Sequence, residues 1–324
     1  MTGNTGNTGN TGNTGNTGNT GNTGNAGIAG DLGGGWFIND RSDFPFVSAM
    51  IPTDDPPTGE PFRSLLLNSE GKIQINGKTR ISELRRPDLQ PDRFGDQNWS
   101  ARWHAWRVLH EFIAIDSTWK HDAERELTNL LSTKVADDKE LRQLVREARD
   151  ERAAAMGEIL SQDVEFISDF MGLLSITPGS HPHTYRVLHM ASLIGSFAAL
   201  FFKDHYQRPR PSQVLPALIP PVPMPGHPSF PSGHATQAHL MARCVVHVLA
   251  TESFDREAAV ALALDLVVLA RRVARNREIA GLHYRSDSTA GEKLAEVLFD
   301  ALTRMKVKLF AATVEAARRE WLLG

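Results

Sequence analysis

The chain has 324 residues, a formal net charge of -3 at pH 7 and a hydrophobic fraction of 41%, values typical of a globular protein of one large or two small domains. The near-neutral charge gives no global attraction to nucleic acid or to an anionic membrane, so any basic character is local. The single cysteine, Cys244, excludes an intrachain disulfide framework and a cysteine-based zinc site.

The N-terminal part of the chain carries few residues that could build a core. Residues 1–25 repeat the triplet Thr-Gly-Asn, which offers no apolar side chains to bury, so we expect residues 1–27 to be disordered. Because no basic segment followed by an apolar one stands at the start, no signal peptide is predicted, and the expected location is cytoplasmic or otherwise soluble.

Residues 28–94 are rich in Gly, Pro and Asp and predict an irregular arm. Within it, the dipeptide Asn76-Gly77 separates two short runs of β-forming residues, which is the pattern of a tight hairpin. From residue 95 to residue 324, apolar residues recur at spacings of three and four, as in amphipathic helices. We therefore predict one helical domain over residues 95–324, preceded by the arm with its possible hairpin.

The predicted fold class is all-α, because only the possible hairpin departs from the helical pattern. We predict helices over residues 100–119, 122–131, 138–160, 164–174, 184–203, 234–251, 255–275 and 288–321. The longest mainly apolar run, residues 187–202, has 16 residues, fewer than the roughly 20 that a membrane span needs. The sequence therefore predicts a buried helix there and no membrane span.

Three polar clusters follow, and the first comes directly after the most apolar helix. It runs from Lys203 to Pro211 and places Arg210 between two prolines, whose rings stiffen the backbone around a planar, bidentate donor. A guanidinium held in this way is suited to binding an oxyanion. Lysine at a helix C-terminus is also a common partner of the helix dipole, so Lys203 alone does not predict an anion site.

The second cluster, Ser232-Gly233-His234, follows a Pro-rich loop (residues 213–230) and opens a helix. The N-terminus of a helix has unpaired backbone N–H groups and partial positive charge, and glycine allows the backbone to approach a ligand closely. Ser232 and Gly233 therefore indicate a cradle for the oxygens of an anion. The alternative is that Ser232 is a simple N-cap and that His234 is a surface residue of the first turn.

The third cluster closes a basic helix with Arg277 and continues to His283 and Asp287. Residues four apart share one face of a helix, so the carboxylate of Asp287 can orient the imidazole of His283. An oriented, unprotonated ring nitrogen is a competent nucleophile, and the carboxylate stabilises the cation that forms as it attacks. An ordinary helical ion pair is the alternative.

The order and spacing of the three clusters resemble the three-part signature of one superfamily. It joins type 2 phosphatidic acid phosphatases, class A non-specific acid phosphatases and vanadium haloperoxidases. The residues that carry the resemblance are Lys203, Arg210, Pro211, Pro231, Ser232, Gly233, His234, Arg277, His283 and Asp287. Asn276 departs from the pattern, since a serine is common there. The resemblance covers about residues 184–300 and implies a helical bundle of the acid phosphatase/vanadium haloperoxidase type.

By position, the resemblance implies a role for each residue. The phosphate oxygens would bind to Lys203, Arg210, Ser232, Gly233 and Arg277. His283 would attack phosphorus, oriented by Asp287, while His234 would protonate the leaving group and then activate water. The implied function is a phosphomonoester hydrolase, closest to the soluble acid phosphatases, that forms a phosphohistidine. It would act on a small-molecule phosphate ester without cofactor, metal or nucleic acid, and a homo-oligomer is compatible with this function.

Two alternatives remain. The run from His227 to Gln237 resembles bromoperoxidases, in which His283 would ligate vanadate as the cofactor. The chain is shorter than most haloperoxidases, and the run from Ala274 to Tyr284 looks closer to soluble acid phosphatases, so the phosphatase is favoured. The second alternative is a helical scaffold that kept a phosphate pocket, but such scaffolds usually lose a nucleophile or an acid, and every signature position is filled here.

Overall fold

The structure, a computed structural model, describes residues 99–115, 118–131, 138–251, 255–304 and 307–322, together with residue 96 and three short strands. Contacts divide the chain into two compact units, one of residues 41–100 and one that contains residues 101–324. The predicted disorder of residues 1–27 lies outside the described residues, and the predicted domain boundaries stay predictions.

The first unit contains a three-stranded antiparallel sheet in the order β1-β2-β3. Its strands are β1 (Leu66–Leu67), β2 (Ile73–Ile75) and β3 (Lys78–Arg80). Ile75 pairs with Lys78, so β2 and β3 form a hairpin whose connection is the dipeptide that the sequence singles out. This is the hairpin predicted for the arm.

The second unit is almost entirely helical and contains no strand among its described residues, so the all-α prediction is confirmed. Its α-helices are α1 (Ala101–Ile115), α2 (Thr118–Leu130), α3 (Asp138–Asp150), α4 (Arg152–Val164), α5 (Ile167–Leu174), α6 (Pro182–Tyr206), α7 (Pro211–Val214), α8 (Gly233–Leu249), α9 (Arg256–Ile279), α10 (Arg285–Arg304) and α11 (Lys308–Glu320). A short 3₁₀ helix, Pro216–Leu218, lies between α7 and α8.

Two of the predicted helices are each two helices in the structure. The predicted helix 138–160 is α3 followed by α4, with the break at Glu151, and the helix predicted over 288–321 is α10 followed by α11. The helices predicted over 100–119 and 122–131 correspond to α1 and α2, with α2 beginning at Thr118 rather than at Asp122. No glycine or proline marks the break at Glu151, so the local sequence carries no stop signal. A break lets the two halves of a predicted helix pack on different partners. For example, α10 packs on α8 and α2, whereas α11 packs on α6.

The most apolar helix is longer than the apolar run within it. The segment Pro182–Val214, which comprises α6 and α7, is long and apolar enough to cross a membrane by length and composition alone. Within its most apolar window, 72% of the residues are buried inside the protein, as in the core helix of a globular protein. The predicted absence of a membrane span and the expected soluble location therefore stay predictions.

Helix α8 is the centre of the second unit. It packs against α6, α9, α10 and α11, and buried residues occupy every face of it. A helix that is buried all round needs small or apolar side chains, which α8 provides in its run of alanine, leucine, methionine and valine. The N-terminus of this core helix is the Ser232-Gly233-His234 cluster, so the core itself positions the predicted cradle.

The crossing of α8 and α10 depends on Gly291. A Cβ atom at this position would lie 2.7 Å from Ala235 Cβ, 2.7 Å from the carbonyl oxygen of Ser232 and 3.0 Å from the backbone nitrogen of Thr236. Two of these neighbours are backbone atoms, which cannot move without displacing the start of α8. The missing side chain therefore allows α10 to lie directly against the predicted cradle.

Gly291→Ala is accordingly expected to lower the free energy of unfolding by about 1–3 kcal/mol, because overpacking forces two backbones apart. Denaturant unfolding followed by circular dichroism measures the change. Gly157→Ala in α4 is the matched control, since no atom lies within 4 Å of the added Cβ. That variant should gain about 0.5–1 kcal/mol from helix propensity. Equal stabilities for the two variants would contradict the close crossing.

Candidate active site

The three polar clusters lie at the ends of helices. Lys203 is in the last turn of α6, which ends at Tyr206 where Gln207 adopts a left-handed conformation with φ of 53°. Ser232 caps the start of α8, and Arg277 lies in the last turn of α9. Because helix ends leave backbone groups unpaired, polar groups concentrate in this part of the helical unit.

Lys203 is buried beneath the Pro-rich loop, with 1% of its surface exposed. Its ammonium donates hydrogen bonds to the carbonyl oxygens of Pro228 (2.9 Å) and Ser229 (2.7 Å). Burial lowers the pKa of Lys203 well below its ordinary value, Arg210 lowers that pKa further, and Asp287 acts in the opposite direction. A bound phosphate would favour the charged form of this amine.

Arg210 joins the Pro-rich loop to the third cluster. Its Nε donates to the carbonyl oxygen of His227 (2.9 Å), and its Nη1 donates to the carbonyl oxygen of Leu282 (2.9 Å). Nη1 also lies 3.3 Å from Nε2 of His283. Burial lowers the pKa of Arg210 to about 10, and Asp287 opposes that shift. The guanidinium therefore stays charged at neutral pH, beside the histidine that the sequence identifies as the nucleophile.

The hydrogen bonds of His283 assign the state of its ring. Nδ1 lies 3.2 Å from Oδ2 of Asp287, a carboxylate oxygen that can only accept. Nε2 faces the Arg210 guanidinium, which can only donate, so Nε2 carries the lone pair. Burial lowers the pKa of His283 well below its ordinary value, and the charges of Arg210 and Lys203 lower it further. The ring is therefore neutral at neutral pH, with a nucleophilic nitrogen toward the cations.

Asp287 is fully bonded as well as fully buried. Its Oδ2 accepts from the backbone N–H of Tyr284 (3.0 Å) in addition to His283, and its Oδ1 accepts from Nη1 of Arg208 (2.7 Å). A carboxylate shared in this way with a guanidinium raises the basicity of the imidazole less than an unshared one would. This sharing agrees with the lowered pKa of His283, which burial causes first and the charges of Arg210 and Lys203 reinforce.

The predicted cradle stands at the first turn of α8. Ser232 is the N-cap, and its Oγ accepts from the backbone N–H of Ala235 at 3.4 Å. The backbone N–H of Ser232 donates to the carbonyl oxygen of Asp287 at 3.0 Å, which ties the start of α8 to the start of α10. Gly233 is the first helical residue and is buried. The N-cap role and the cradle role of Ser232 are therefore compatible.

His234 is buried rather than on the surface. Its ring stacks on Phe166 with the ring centres 5.1 Å apart, and its Nε2 donates to the carbonyl oxygen of Gln162 at 3.0 Å. Burial lowers the pKa of His234 well below its ordinary value, and the charge of Arg277 lowers it further. Because Nε2–H is bonded to a carbonyl oxygen, Nδ1 is the ring nitrogen that can give or take a proton.

Arg277 is fully buried at the end of α9. Its Nη2 donates to the carbonyl oxygen of Ile159 (2.6 Å), and its Nη1 lies 3.3 Å from Oδ1 of Asp163. Its Nε has no hydrogen-bond partner within the described part of the chain. Burial lowers the pKa of Arg277 to about 10, with Asp163 acting in the opposite direction. An unpaired buried N–H on a cation is suited to an oxygen of an anion.

The structure thus brings the predicted residues together. Arg210 contacts His283 directly, and Ser232 contacts Asp287. The electrostatic influence of Arg277 reaches both histidines, and that of Lys203 reaches His283. Three cations, two neutral imidazoles and a helix N-terminus therefore surround one location, an arrangement that can hold a tetrahedral oxyanion and present a nitrogen to its central atom. The roles assigned to these residues stay predictions.

Arg208 is a site residue that the sequence analysis does not identify. Only 3% of its surface is exposed, and its guanidinium lies over the ring of Tyr284 at 4.0 Å. Nη1 donates to Asp287 and to Oγ of Ser286 (2.7 Å), and Nη2 donates to Oε2 of Glu140 in α3 (3.1 Å). Arg208 is adjacent to Pro209. A neighbouring proline is also part of what indicates Arg210, so this is the one sequence signal that could have indicated Arg208.

Helix α4 supplies the other contacts that the sequence does not indicate. The carbonyl oxygens of Gln162 and Ile159 accept from His234 and Arg277, and Asp163 pairs with Arg277. Backbone carbonyls leave no trace in a sequence, so no residue-type signal could have found two of these contacts. Helix α4 therefore holds one histidine of the site from 72 residues away along the chain and one arginine from 118 residues away.

The described residues offer no obvious metal site. No group of three or more His, Cys, Asp or Glu side chains among them is arranged to hold a metal ion. Cys244 is buried in the core, and burial raises the pKa of its thiol. It is therefore an inert core residue rather than a nucleophile.

Residues 185–310 match the family model of the PAP2 superfamily. No curated protein matches the chain. Among solved structures, the first transmembrane PAP2 type phosphatidylglycerolphosphate phosphatase from Bacillus subtilis is similar over 61% of this chain and 90% of its own, with 16% identity and a TM-score of 0.30.

Proposed function

Residues 185–310 of this chain belong to the PAP2 superfamily, and from that premise we propose that it hydrolyses phosphomonoesters through a phosphohistidine on His283. A phosphatase-type function is what the superfamily supports. The covalent intermediate and a small-molecule substrate are our own inference. One observation carries it: Asp287 holds Nδ1 of a neutral His283, and Nε2 of that ring faces Arg210 at 3.3 Å.

In the first step, the phosphate of the substrate binds among Lys203, Arg210 and Arg277, with the N-terminus of α8 beside it. Nε2 of His283 attacks phosphorus, and the bond between phosphorus and the ester oxygen breaks. Protonated His234 transfers its Nδ1 proton to the departing alkoxide, which leaves as the alcohol. The cations stabilise the charge on the equatorial oxygens, which is the main requirement of phosphoryl transfer.

In the second step, neutral His234 takes a proton from water, and the water oxygen attacks phosphorus. The phosphorus–nitrogen bond breaks, His283 recovers its lone pair, and inorganic phosphate leaves. His234 ends the cycle protonated, ready for the next leaving group. Asp287 stabilises the imidazolium of His283 in both steps, because its carboxylate accepts the Nδ1 hydrogen throughout.

We expect hydrolysis of an alkyl phosphate to become faster as the pH falls from about 8 to about 5. The pKa of His234 is lowered by burial and by Arg277, so the protonated ring that the leaving group needs is populated only on the acid side. The pKa of His283 is lowered too, so its Nε2 stays unprotonated there. The measurement is kcat/KM against pH, and a rate that rises toward alkaline pH would contradict these assignments.

A vanadium-dependent haloperoxidase is the second candidate, and His227 is the observation that favours it. This histidine, which carries the resemblance to bromoperoxidases, lies with Nδ1 3.1 Å from Nη2 of Arg210. The donor set fits vanadate as well as phosphate, because both are tetrahedral oxyanions and Arg277 Nε is an unpaired buried donor within the described chain. Lys203, Arg210 and Arg277 would hold the vanadate and His283 would ligate it. Bound vanadate would supply the activation of peroxide.

Paired assays on the purified full chain separate the candidates. The proposal expects release of phosphate from p-nitrophenyl phosphate, inhibition by vanadate, and no bromination of a dye in the presence of vanadate and peroxide. Vanadate-dependent bromination without phosphate release would replace the proposal by the second candidate. Absence of both activities, with phosphate binding retained, would favour the scaffold alternative.

A leaving-group comparison tests the role of His234. Because p-nitrophenolate leaves without a proton, His234→Ala should slow hydrolysis of an alkyl phosphate much more than that of p-nitrophenyl phosphate. Equal losses on both substrates would assign His234 to binding rather than to proton transfer.

A further inference from the structure

Helix α9 presents an apolar stripe to solvent. Val260, Leu264 and Val268 are exposed by 56%, 64% and 61% respectively, although all three are large and apolar. The opposite side of the same helix is fully buried at Leu266, Ala270 and Val273. A helix whose outer face contacts only water usually carries polar residues there. The outer face of α9 is apolar instead, which indicates that something other than water contacts it.

Opposite charges bound the stripe symmetrically. Glu257 stands seven residues before Leu264, and Arg271 stands seven residues after it. At about 100° per residue, Glu257, Val260, Val268 and Arg271 all project within about 40° of the direction of Leu264. Read from Leu264 outward, the two halves of this face match in apolar character and are opposite in charge.

We infer that this face of α9 binds the same face of a second copy of the chain, with the two helices antiparallel and Leu264 on the two-fold axis. In that arrangement, Val260 packs on the partner's Val268, and Glu257 meets the partner's Arg271. A two-fold axis repeats each of these pairs. A self-complementary face is what an isologous interface requires, and only the antiparallel register centred on Leu264 pairs both charges.

Arg271 is available for this contact. Within its own chain it approaches Glu292 only at 4.0 Å, and its side chain is 67% exposed. Such exposed pairs contribute little stability, so exchanging Glu292 for a partner carboxylate costs little. A membrane is the poorer occupant, because Glu257, Asp265 and Arg271 on or beside the stripe would have to leave water.

The seam from Glu257 to Arg271 spans about four helical turns. One helix face of that length buries less area than the roughly 800 Å² per partner of a standard stable interface. We therefore expect a dimer whose population depends on concentration. Sedimentation velocity of the full chain over a range of concentrations should show a monomer–dimer equilibrium. A wild-type chain that stays monomeric at every concentration would overturn the inference.

Variants locate the interface. Leu264→Glu places two carboxylates on the axis and should weaken dimerisation at least tenfold, whereas Val145→Glu on the exposed face of α3 (43% exposed) is the matched control. Both changes are on the surface, so unchanged thermal unfolding of the monomers confirms that they fold. An intact dimer in Leu264→Glu would assign dimerisation to another face.

A charge exchange tests the register. Glu257→Arg alone and Arg271→Glu alone each put like charges together and should weaken the dimer. The double variant restores both pairs across the axis and should recover the wild-type equilibrium. Failure of the double variant to recover would overturn the antiparallel register.

A vesicle experiment tests the membrane as the occupant. If the chain stays monomeric and binds phosphatidylcholine vesicles, and if Leu264→Glu abolishes that binding, the stripe is assigned to a membrane surface. None of these outcomes depends on phosphatase activity.

Discussion

His283→Ala is expected to lower kcat for p-nitrophenyl phosphate by about 10⁴-fold, because removal of an attacking group leaves only binding and electrostatic stabilisation. The loss should appear in kcat rather than in KM, since Lys203, Arg210 and Arg277 still bind the phosphate. Steady-state kinetics measures the effect. His110→Ala, an exposed change on α1, is the control and should leave both constants unchanged.

A labelling experiment accompanies the kinetics. Wild-type protein quenched during turnover with ³²P-labelled substrate should carry an acid-labile, base-stable label, and His283→Ala should carry none. A label on another residue, or more than a tenth of wild-type kcat in His283→Ala, would remove His283 from the nucleophile role.

Arg208→Met is expected to lower the free energy of unfolding by about 3–5 kcal/mol, because it leaves two buried or partly buried carboxylates without their cation. Those carboxylates are Asp287, bonded at 2.7 Å, and Glu140, bonded at 3.1 Å. Arg142→Met in α3 is the control, since its pair with Asp138 is 76% and 84% exposed and contributes little. Denaturant unfolding measures both changes, and equal unfolding midpoints would contradict the prediction.

Arg208 is also expected to position the nucleophile through Asp287. Arg208→Lys keeps a cation, but an ammonium group lacks the planar guanidinium geometry that donates to both Ser286 and Asp287. We therefore expect kcat to fall while the fold persists. KM should change little, because Arg208 contacts Asp287 and Glu140 rather than the phosphate. A purely structural role would instead predict unchanged kcat in the folded fraction of Arg208→Lys.

The contrast between Arg208 and Arg210 shows where sequence reasoning stops. Both are arginines beside Pro209 in one short segment, and the second flanking proline, Pro211, is what distinguishes Arg210 locally. In the structure Arg210 reaches His283, while Arg208 turns to Asp287 and to Glu140, which lies 68 residues away in the chain. The difference arises from which side chains α3 and α10 place nearby, and that placement belongs to packing rather than to local sequence.

The helix breaks and the supporting contacts of α4 have the same origin. A hydrophobic period of 3.6 residues continues through the junction of α3 and α4 with no glycine or proline, so a continuous helix is the reasonable prediction. The carbonyl oxygens of Ile159 and Gln162 are features of the backbone that every residue possesses. They become site contacts only when α4 lies against the ends of α8 and α9.

By itself, the sequence determined the all-α class of the second unit, the resemblance of residues 185–310 to the PAP2 superfamily and the set of polar residues that meet at the site. It could do so because helical periodicity and motif spacing are local properties, written into the order of the residues. Only the tertiary structure decided which charges neutralise one another, where long helices divide and which apolar face stays open to solvent. These depend on distances between segments that are far apart in the chain. Those distances set how deeply each side chain is buried and which charges it meets, and burial and charge determine the pKa shifts and packing energies.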